Sequence, residues 1–379
     1  MGFFFLELHD FCFLQNPSSS PLYLCLFKKK AEDAAAIWAR IMTLFLFKIP
    51  KKSVNLQEFK NTQHLTSHTK HPTLLSAHLT ILGFNSAIPT VNSSPTSQFL
   101  EMDERCFLID CGEGTQVQLR KAKARFSKIN HIFISHLHGD HFFGLPGLIA
   151  SFRLLGRETP LHVYGPKGIK ELLETIFRLT ETHQGFEVIY HELQSKKSEK
   201  IYEDHKLEVF TIPLNHRIYC NGYLFREKPK ERHLNMQEVS KYPEIETCDY
   251  QNIKNGKDFI LSDGYVLKNE VLTTEPSKSI SYAFCSDTRY SESILPLISG
   301  VDLLYHEATF LHDLKEMADY TGHTTALEAA RIARKANVGK LILGHFSNRY
   351  HDLTVFLDEA REVFPNTELP KALVPVEIG

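Results

Sequence analysis

Periodic patterning begins near residue 78. Leu79-Thr80-Ile81-Leu82-Gly83 reads as a strand running into a turn rich in Gly, Asn, Ser and Pro over 83–96. Residues 105–111 hold the apolar block Cys106-Phe107-Leu108-Ile109, the mark of a buried strand, which delivers Asp110 and Gly112-Glu113-Gly114 to a loop. The pattern then predicts a helix over 115–128, a strand over 129–134, a helix over 147–155, a strand over 161–164 and a helix over 167–179. A strand over 207–212 ends at Pro213-Leu214-Asn215-His216. Further strands are expected at 281–286, 303–306 and 340–343, with helices over 324–336, opening at a Thr cap, and over 355–363. Strands alternating with helices, their ends tipped with His and Asp, indicate a layered α/β fold with its chemistry on one face. Between 226 and 271 periodicity gives way to mixed charge, which predicts an inserted flexible arm. Residues 1–76 carry no recognisable chemistry and are expected to form a poorly ordered extension, leaving 77–379 as the folded domain.

Composition narrows this little. Acidic and basic residues nearly cancel in the 379-residue chain, for a formal net charge of −2, so any contact with nucleic acid must be local. The stretch 115–128 supplies such a patch, with Arg120, Lys121, Lys123, Arg125 and Lys128 and no acidic residue; an ordinary solvated helix face is the competing reading. Seven scattered cysteines, an odd number without a CxxC pair, argue for a reducing cytoplasm over a disulfide framework. The apolar stretches near Phe3 and over 41–49 are too short or too interrupted for a membrane span or a secretory signal.

The strongest signal is Ser135-His136-Leu137-His138-Gly139-Asp140-His141. Residues two apart on an extended backbone point to the same side, so His136 and His138 can share one ion. Gly139 permits a sharp turn that aims Asp140 and His141 at a second. His216, Asp287 and His345 stand at later strand ends, and a carboxylate at Asp287 can bridge two cations with one oxygen each. Nitrogen and carboxylate donors without thiolate suit zinc, and manganese or iron would be tolerated by the same set. Cys220 and Cys285 read as packing residues.

These residues match the metallo-β-lactamase superfamily pattern, and the chain resembles ribonuclease Z, the tRNA 3'-processing endonuclease family. The narrower match rests on Ser135 to His141 followed by Phe143-Gly144-Leu145-Pro146-Gly147-Leu148, and on Asp110-Cys111-Gly112-Glu113-Gly114-Thr115-Gln116. It continues in His306-Glu307-Ala308-Thr309-Phe310, Gly322-His323-Thr324-Thr325-Ala326 and Gly344-His345-Phe346-Ser347-Asn348-Arg349-Tyr350. The resemblance implies a four-layer αβ/βα sandwich, a homodimer, and two zinc ions per subunit. One ion would be held by His136, His138, His216 and Asp287, the other by Asp140, His141, Asp287 and His345. It also implies that residues 226–271 are a tRNA-gripping arm, although the Gly-Pro-rich stretch common in bacterial arms is replaced by Tyr242-Pro243-Glu244-Ile245.

The implied reaction removes the 3' trailer of precursor tRNA, leaving a 3'-hydroxyl and a 5'-phosphorylated trailer. Two cations suit in-line attack on a phosphodiester, and Asp140 can orient the attacking water. The leaving ribose oxygen needs a proton donor; His323, backed by Glu307, is the expected acid, while His306 is expected to be structural. Arg120, Lys121, Lys123 and Arg349 are expected RNA contacts. Two other readings stay open: a related hydrolase of small phosphodiesters, sulfate esters or lactones, and a zinc-stabilised RNA-binding protein without catalysis. The arm and the His323/Glu307 pair favour the nuclease.

Overall fold

The computed structural model describes residues 77–91, 93–183 and 185–379. The expected extension over 1–76 lies outside them. Two seven-stranded mixed sheets face each other. The first runs β18-β1-β2-β3-β4-β5-β6, with β1 Ala77–Gly83, β2 Ser97–Met102, β3 Arg105–Cys111, β4 Ile129–Phe133, β5 Leu161–Pro166, β6 Val188–Leu193 and β18 Pro375–Ile378. The second runs β17-β16-β15-β14-β9-β8-β7, with β7 Lys200–Glu203, β8 Leu207–Pro213, β9 Asn221–Glu227, β14 Ser281–Cys285, β15 Leu303–Glu307, β16 Lys340–Gly344 and β17 Thr367–Glu368. In the first sheet β3 to β5 pair in parallel, as do β14 to β16 in the second, whereas β8, which leads to His216, is antiparallel to both neighbours. Parallel strands are covered on both faces, which is why these segments read as unbroken apolar runs.

Aromatic side chains fill the space between the sheets: Phe107, Phe133 and Tyr164 from the first meet Tyr223, Phe225, Tyr282 and Tyr305 from the second. Helices cover the outer faces. On the first sheet lie α1 Thr115–Lys121, α3 Leu145–Leu154 and α4 Ile169–Leu179, with the short turn α2 Gly139–Phe142 before α3. On the second lie α9 Ala326–Lys335 and α10 Thr354–Arg361, preceded by α8 Lys315–Thr321. This is the expected four-layer αβ/βα sandwich.

Several expected boundaries move. The helix expected over 115–128 ends at Lys121, because Lys123 turns left-handed at φ 53° and a 3-10 turn over Phe126–Lys128 brings Phe126 onto Phe152, ring centroids 4.7 Å apart. α3 starts two residues earlier than expected, with Pro146 in its first turn, where its missing N–H costs nothing. α9 opens at Thr325, whose hydroxyl and the Glu328 side chain form a capping box. Outside the insertion, the pattern does not mark β2, β6, β7, β9, β17 or β18.

The insertion leaves β9 at Glu227 and returns at Ile280, where the Glu227 N–H donates to the Ile280 carbonyl at 2.9 Å. Between these points lie two small hairpins, β10 His233–Leu234 with β13 Thr273–Thr274 and β11 Phe259–Ile260 with β12 Val266–Leu267. Three helices, α5 Met236–Val239, α6 Tyr250–Lys254 and α7 Asn269–Leu272, complete the arm. It has a core of its own, Val239, Ile245, Ile253, Leu267 and Leu272, scattered too irregularly among the charges to show as periodicity.

Candidate metal centre

Every expected ligand sits at a strand end or in the loop after it. His136, His138, His216 and Asp287 converge as one group, and Asp140, His141 and His345 as another. Asp287 lies between them. Its Oδ2 is 3.5 Å from His136 Nε2 and 3.9 Å from His216 Nε2, while its Oδ1 is 3.4 Å from His141 Nε2 and 3.3 Å from His345 Nε2. Asp140 Oδ2 closes the second group at 3.3 Å from His141 and 3.4 Å from His345. In the first, His138 Nδ1 is 3.0 Å from His136 Nε2 and 3.3 Å from His216 Nε2.

The donor set fits divalent metal. A tetrahedron with bonds of about 2.0–2.1 Å has edges of about 3.3 Å, near the spacing of these donors. His141 Nε2 is buried with no hydrogen-bond partner among the described residues. The ring nitrogens facing away are pinned. His216 Nδ1–H donates to the Gly322 carbonyl at 2.8 Å, which can only accept, so Nε2 keeps its lone pair. Thr309 Oγ1 donates to Glu307 Oε2 and therefore accepts from His345 Nδ1–H at 2.9 Å. Ser135 Oγ donates to Asp110 Oδ2 and accepts from His136 Nδ1–H at 3.0 Å, and Asp110 Oδ2 also takes His141 Nδ1–H at 2.7 Å. With Nδ1 engaged in this way, each of these four rings turns its Nε2 toward Asp287.

Backbone conformation serves the same end. Asp110 and His345 hold left-handed φ values of 54° and 60°, costly for side-chain-bearing residues and found here on the strands that carry the site. Gly322 holds φ 86°, and a Cβ there would stand 3.0 Å from His216 Nδ1, so a side chain would be strained and would press on that ring.

His323 follows Gly322 and stacks on His345, centroids 5.3 Å apart. Its Nδ1 is 3.0 Å from Glu307 Oε1, and Glu307, fully buried, also accepts the Thr288 N–H at 2.9 Å. Burial alone would lower the pKa of His323, but the charge and hydrogen bond of Glu307 outweigh it and lift it to about 9. Burial would likewise raise Asp140 and Asp287, yet the surrounding histidines hold both far below the usual carboxylate range. His138, Asp140, Asp287, His323 and His345 line one cavity of about 590 Å³.

Not every expected contact is here. Arg349 is close, its guanidinium 5.1 Å over the ring of Phe310, which lines the cavity. Arg120, Lys121 and Lys123 do not line it. They lie exposed on and just after α1, where Arg120 covers Phe126. His306 is buried, with Nδ1 on the Glu307 carbonyl at 2.7 Å. Cys285 and Cys220 are buried, Cys220 Sγ 3.7 Å from His136 Nδ1, on the side of that ring away from Asp287. The sequence reading missed the supporting roles of Asp110, Ser135 and Thr309; a polar residue at the tip of a buried strand was the one available sign.

The family model described as Anti-Pycsar protein Apyc1 matches residues 77–354, so the chain falls within that model's family. Ribonuclease Z of Bacteroides fragilis is 47% identical over 293 residues, covering 77% of this chain and 96% of that protein. The chain belongs to the ribonuclease Z family. The enzyme of that name from Bacteroides thetaiotaomicron agrees at 46% identity over 301 residues, 79% of this chain and 95% of the relative. Among solved structures, human tRNase Z, short form, superposes with a TM-score of 0.58 at 24% identity over 80% of this chain and 99% of that one. The metallo-beta-lactamase fold protein YhfI from Bacillus subtilis gives 0.56 at 20% identity, over 80% and 99%. These two likenesses show the fold.

Proposed function

We propose that the chain is a zinc-dependent endoribonuclease that hydrolyses one phosphodiester of precursor tRNA, releasing the 3' trailer with a 5'-phosphate and leaving a tRNA 3'-hydroxyl. Family membership supports the substrate. The observation that carries the chemistry is the His323–Glu307 pair held against the ligand cluster, a proton donor beside a phosphate-binding centre. Asp110, Asp140, Asp287 and Glu307 gather four carboxylates around the cluster, and no Lys or Arg among the described residues is buried with them. Two divalent cations would balance that charge, one on His136, His138, His216 and Asp287, the other on Asp140, His141, Asp287 and His345.

Bound there, such cations supply Lewis acidity and a water that ionises near neutral pH. The chain's own residues do the rest. Asp140, fixed by the Ala87 N–H at 2.8 Å, orients the attacking water. His323 gives its proton to the departing 3'-oxygen, and Glu307 keeps it protonated until then. Incubating the zinc-loaded protein with a 3'-extended tRNA precursor tests the reading. A single cut leaving a 3'-hydroxyl is expected; no cut with zinc or manganese present overturns it.

The arm over 226–271 is assigned in the same proposal to tRNA binding, since shape rather than base sequence selects folded RNA. A homodimer is part of it as well: Leu154, Leu155 and Leu179 stand exposed near the C-terminal ends of α3 and α4, which pack together. Light scattering tests that. A cytoplasmic setting suits the five free cysteines among the described residues, four of them buried. Among the described residues no helix is long and apolar enough to cross a membrane.

A further inference from the structure

Arg217 has no place in the chemistry above, yet it lines the same cavity as His138, His323 and Asp287. It is exposed and forms no hydrogen bond or ion pair with a described residue. The residue before it is the ligand His216, and its side chain lies against Gly322. An unpaired guanidinium at that spot is a ready partner for a phosphate.

A second cavity, of about 480 Å³, opens along the same loop and is lined by Ser195, Lys196, Asn215, Tyr219 and Asn221. Arg217 lines this cavity too, and no other described residue lines both. Asn221 is 1% exposed; its amide donates to Tyr219 Oη at 2.9 Å, and the Tyr219 hydroxyl donates to the Ser195 carbonyl at 3.0 Å. That chain of bonds leaves Asn221 Oδ1 buried without a partner among the described residues. An unmatched buried acceptor is costly unless something donates to it. A ribose 2'-hydroxyl or a base amino group would.

The direction of the reaction decides which strand belongs here. Water oxygen adds to phosphorus, the bond from phosphorus to the 3'-oxygen breaks, and the proton of His323 goes to that oxygen. The trailer keeps the phosphate. The ribose that is retained therefore lies on the His323 side, which is where Arg217 stands.

We propose that Arg217 and the second cavity form the seat of the retained RNA strand. The guanidinium holds the phosphate on the 5' side of the last retained nucleotide, and the cavity takes a nucleotide sugar or base that donates to Asn221 Oδ1. This rests on the trailer-removing reading, and the test separates the two. The zinc-loaded protein is assayed on a tRNA precursor and on bis(p-nitrophenyl) phosphate. Hydrolysis of the small diester without a cut in the precursor counts against tRNA as substrate.

With the precursor cut, Arg217→Ala should lower kcat/KM for it about 10- to 100-fold, mostly through KM, and change the small diester by less than about 3-fold. A methylphosphonate replacing the phosphate 5' to the last retained nucleotide should cost the wild-type protein a similar factor and cost the variant almost nothing more. One placed inside the trailer should affect both proteins alike. Equal losses of Arg217→Ala on precursor and small diester would make it part of the reacting centre and overturn the proposal. So would non-additivity with the trailer methylphosphonate instead of the other.

Discussion

The far nitrogen of each buried histidine in the cluster decides what the near one can do. Asp110 shows this most clearly: one carboxylate takes the Ser135 N–H at 2.7 Å, the Ser135 hydroxyl at 2.8 Å and the His141 ring at 2.7 Å. Asp110→Asn keeps the size and loses the charge, and should weaken metal binding about 10- to 100-fold in competition with a chelating dye. Unchanged affinity would reduce Asp110 to a packing role. His323→Ala, by contrast, should keep the full metal content by elemental analysis and lose about 10²- to 10⁴-fold in kcat on precursor. Metal loss in that variant would place His323 among the ligands. Four of the seven candidate ligands were legible as a group because the two-residue spacing of His136 and His138, and the turn at Gly139, are local facts, while His216, Asp287 and His345 showed only as polar tips after later strands. Asp110 and Thr309 were not legible, because a partner on the far side of a ring is chosen by neighbouring strands, which no local pattern shows.

A row of histidines crosses three adjacent strands away from the metal centre. His131 on β4 pairs in register with His162 on β5 and stacks on it at 4.8 Å, and His162 Nδ1 is 3.0 Å from His191 Nε2 on β6. Burial, then the neighbouring His162 and His191, pushes His131 down to about 4. The unfolded chain takes its proton near 6.5 and the folded chain only near 4. Stability from this residue is therefore whole above pH 6.5, falls between 6.5 and 4, and is level below, a loss of about 3 kcal/mol for a shift of this size. His131→Phe should flatten that part of a urea-unfolding pH series, the more readily because His131 Nδ1 has no hydrogen-bond partner among the described residues. A series as steep as that of the wild type would show that the loss comes from elsewhere.

The arm is an element that can be removed cleanly. Glu227 and Ile280 are already hydrogen-bonded neighbours, so replacing 229–278 with a short Gly/Ser link should leave the sandwich folded, raise KM for precursor tRNA strongly and spare a small phosphodiester. Equal effects on both substrates would separate the arm from recognition. The change to mixed charge marked 226–271 in the sequence as an insertion but gave no sign of the small core within it. Sequence reading also missed β6 and β7, whose partly exposed, mixed faces suit sheet-edge positions and lack the apolar runs of the central strands.

At the scale of the molecule, the site belongs to neither half alone. The loops after β4 supply His136, His138, Asp140 and His141, and the second sheet supplies His216, Asp287 and His345 through the ends of β8, β14 and β16. Removing metal with a chelator should lower the melting temperature, and adding back zinc should restore it in proportion to the logarithm of free zinc, as binding to the native state alone requires. An unchanged melting temperature would mean that the groups at the centre hold together without an ion. The layered fold was readable from alternating strands and helices, but that two sheets would share the ligands was not, because the sharing depends on how they dock.

That sharing gives the centre a second use, as a clock. Neither half can coordinate an ion fully until the aromatic faces of the sheets have met, so metal capture reports the last docking event in folding rather than the formation of either sheet. In a refolding experiment with a zinc-sensitive dye, uptake should trail the return of far-ultraviolet circular dichroism and coincide with burial of Tyr223 and Tyr282, the side chains that lie between the sheets.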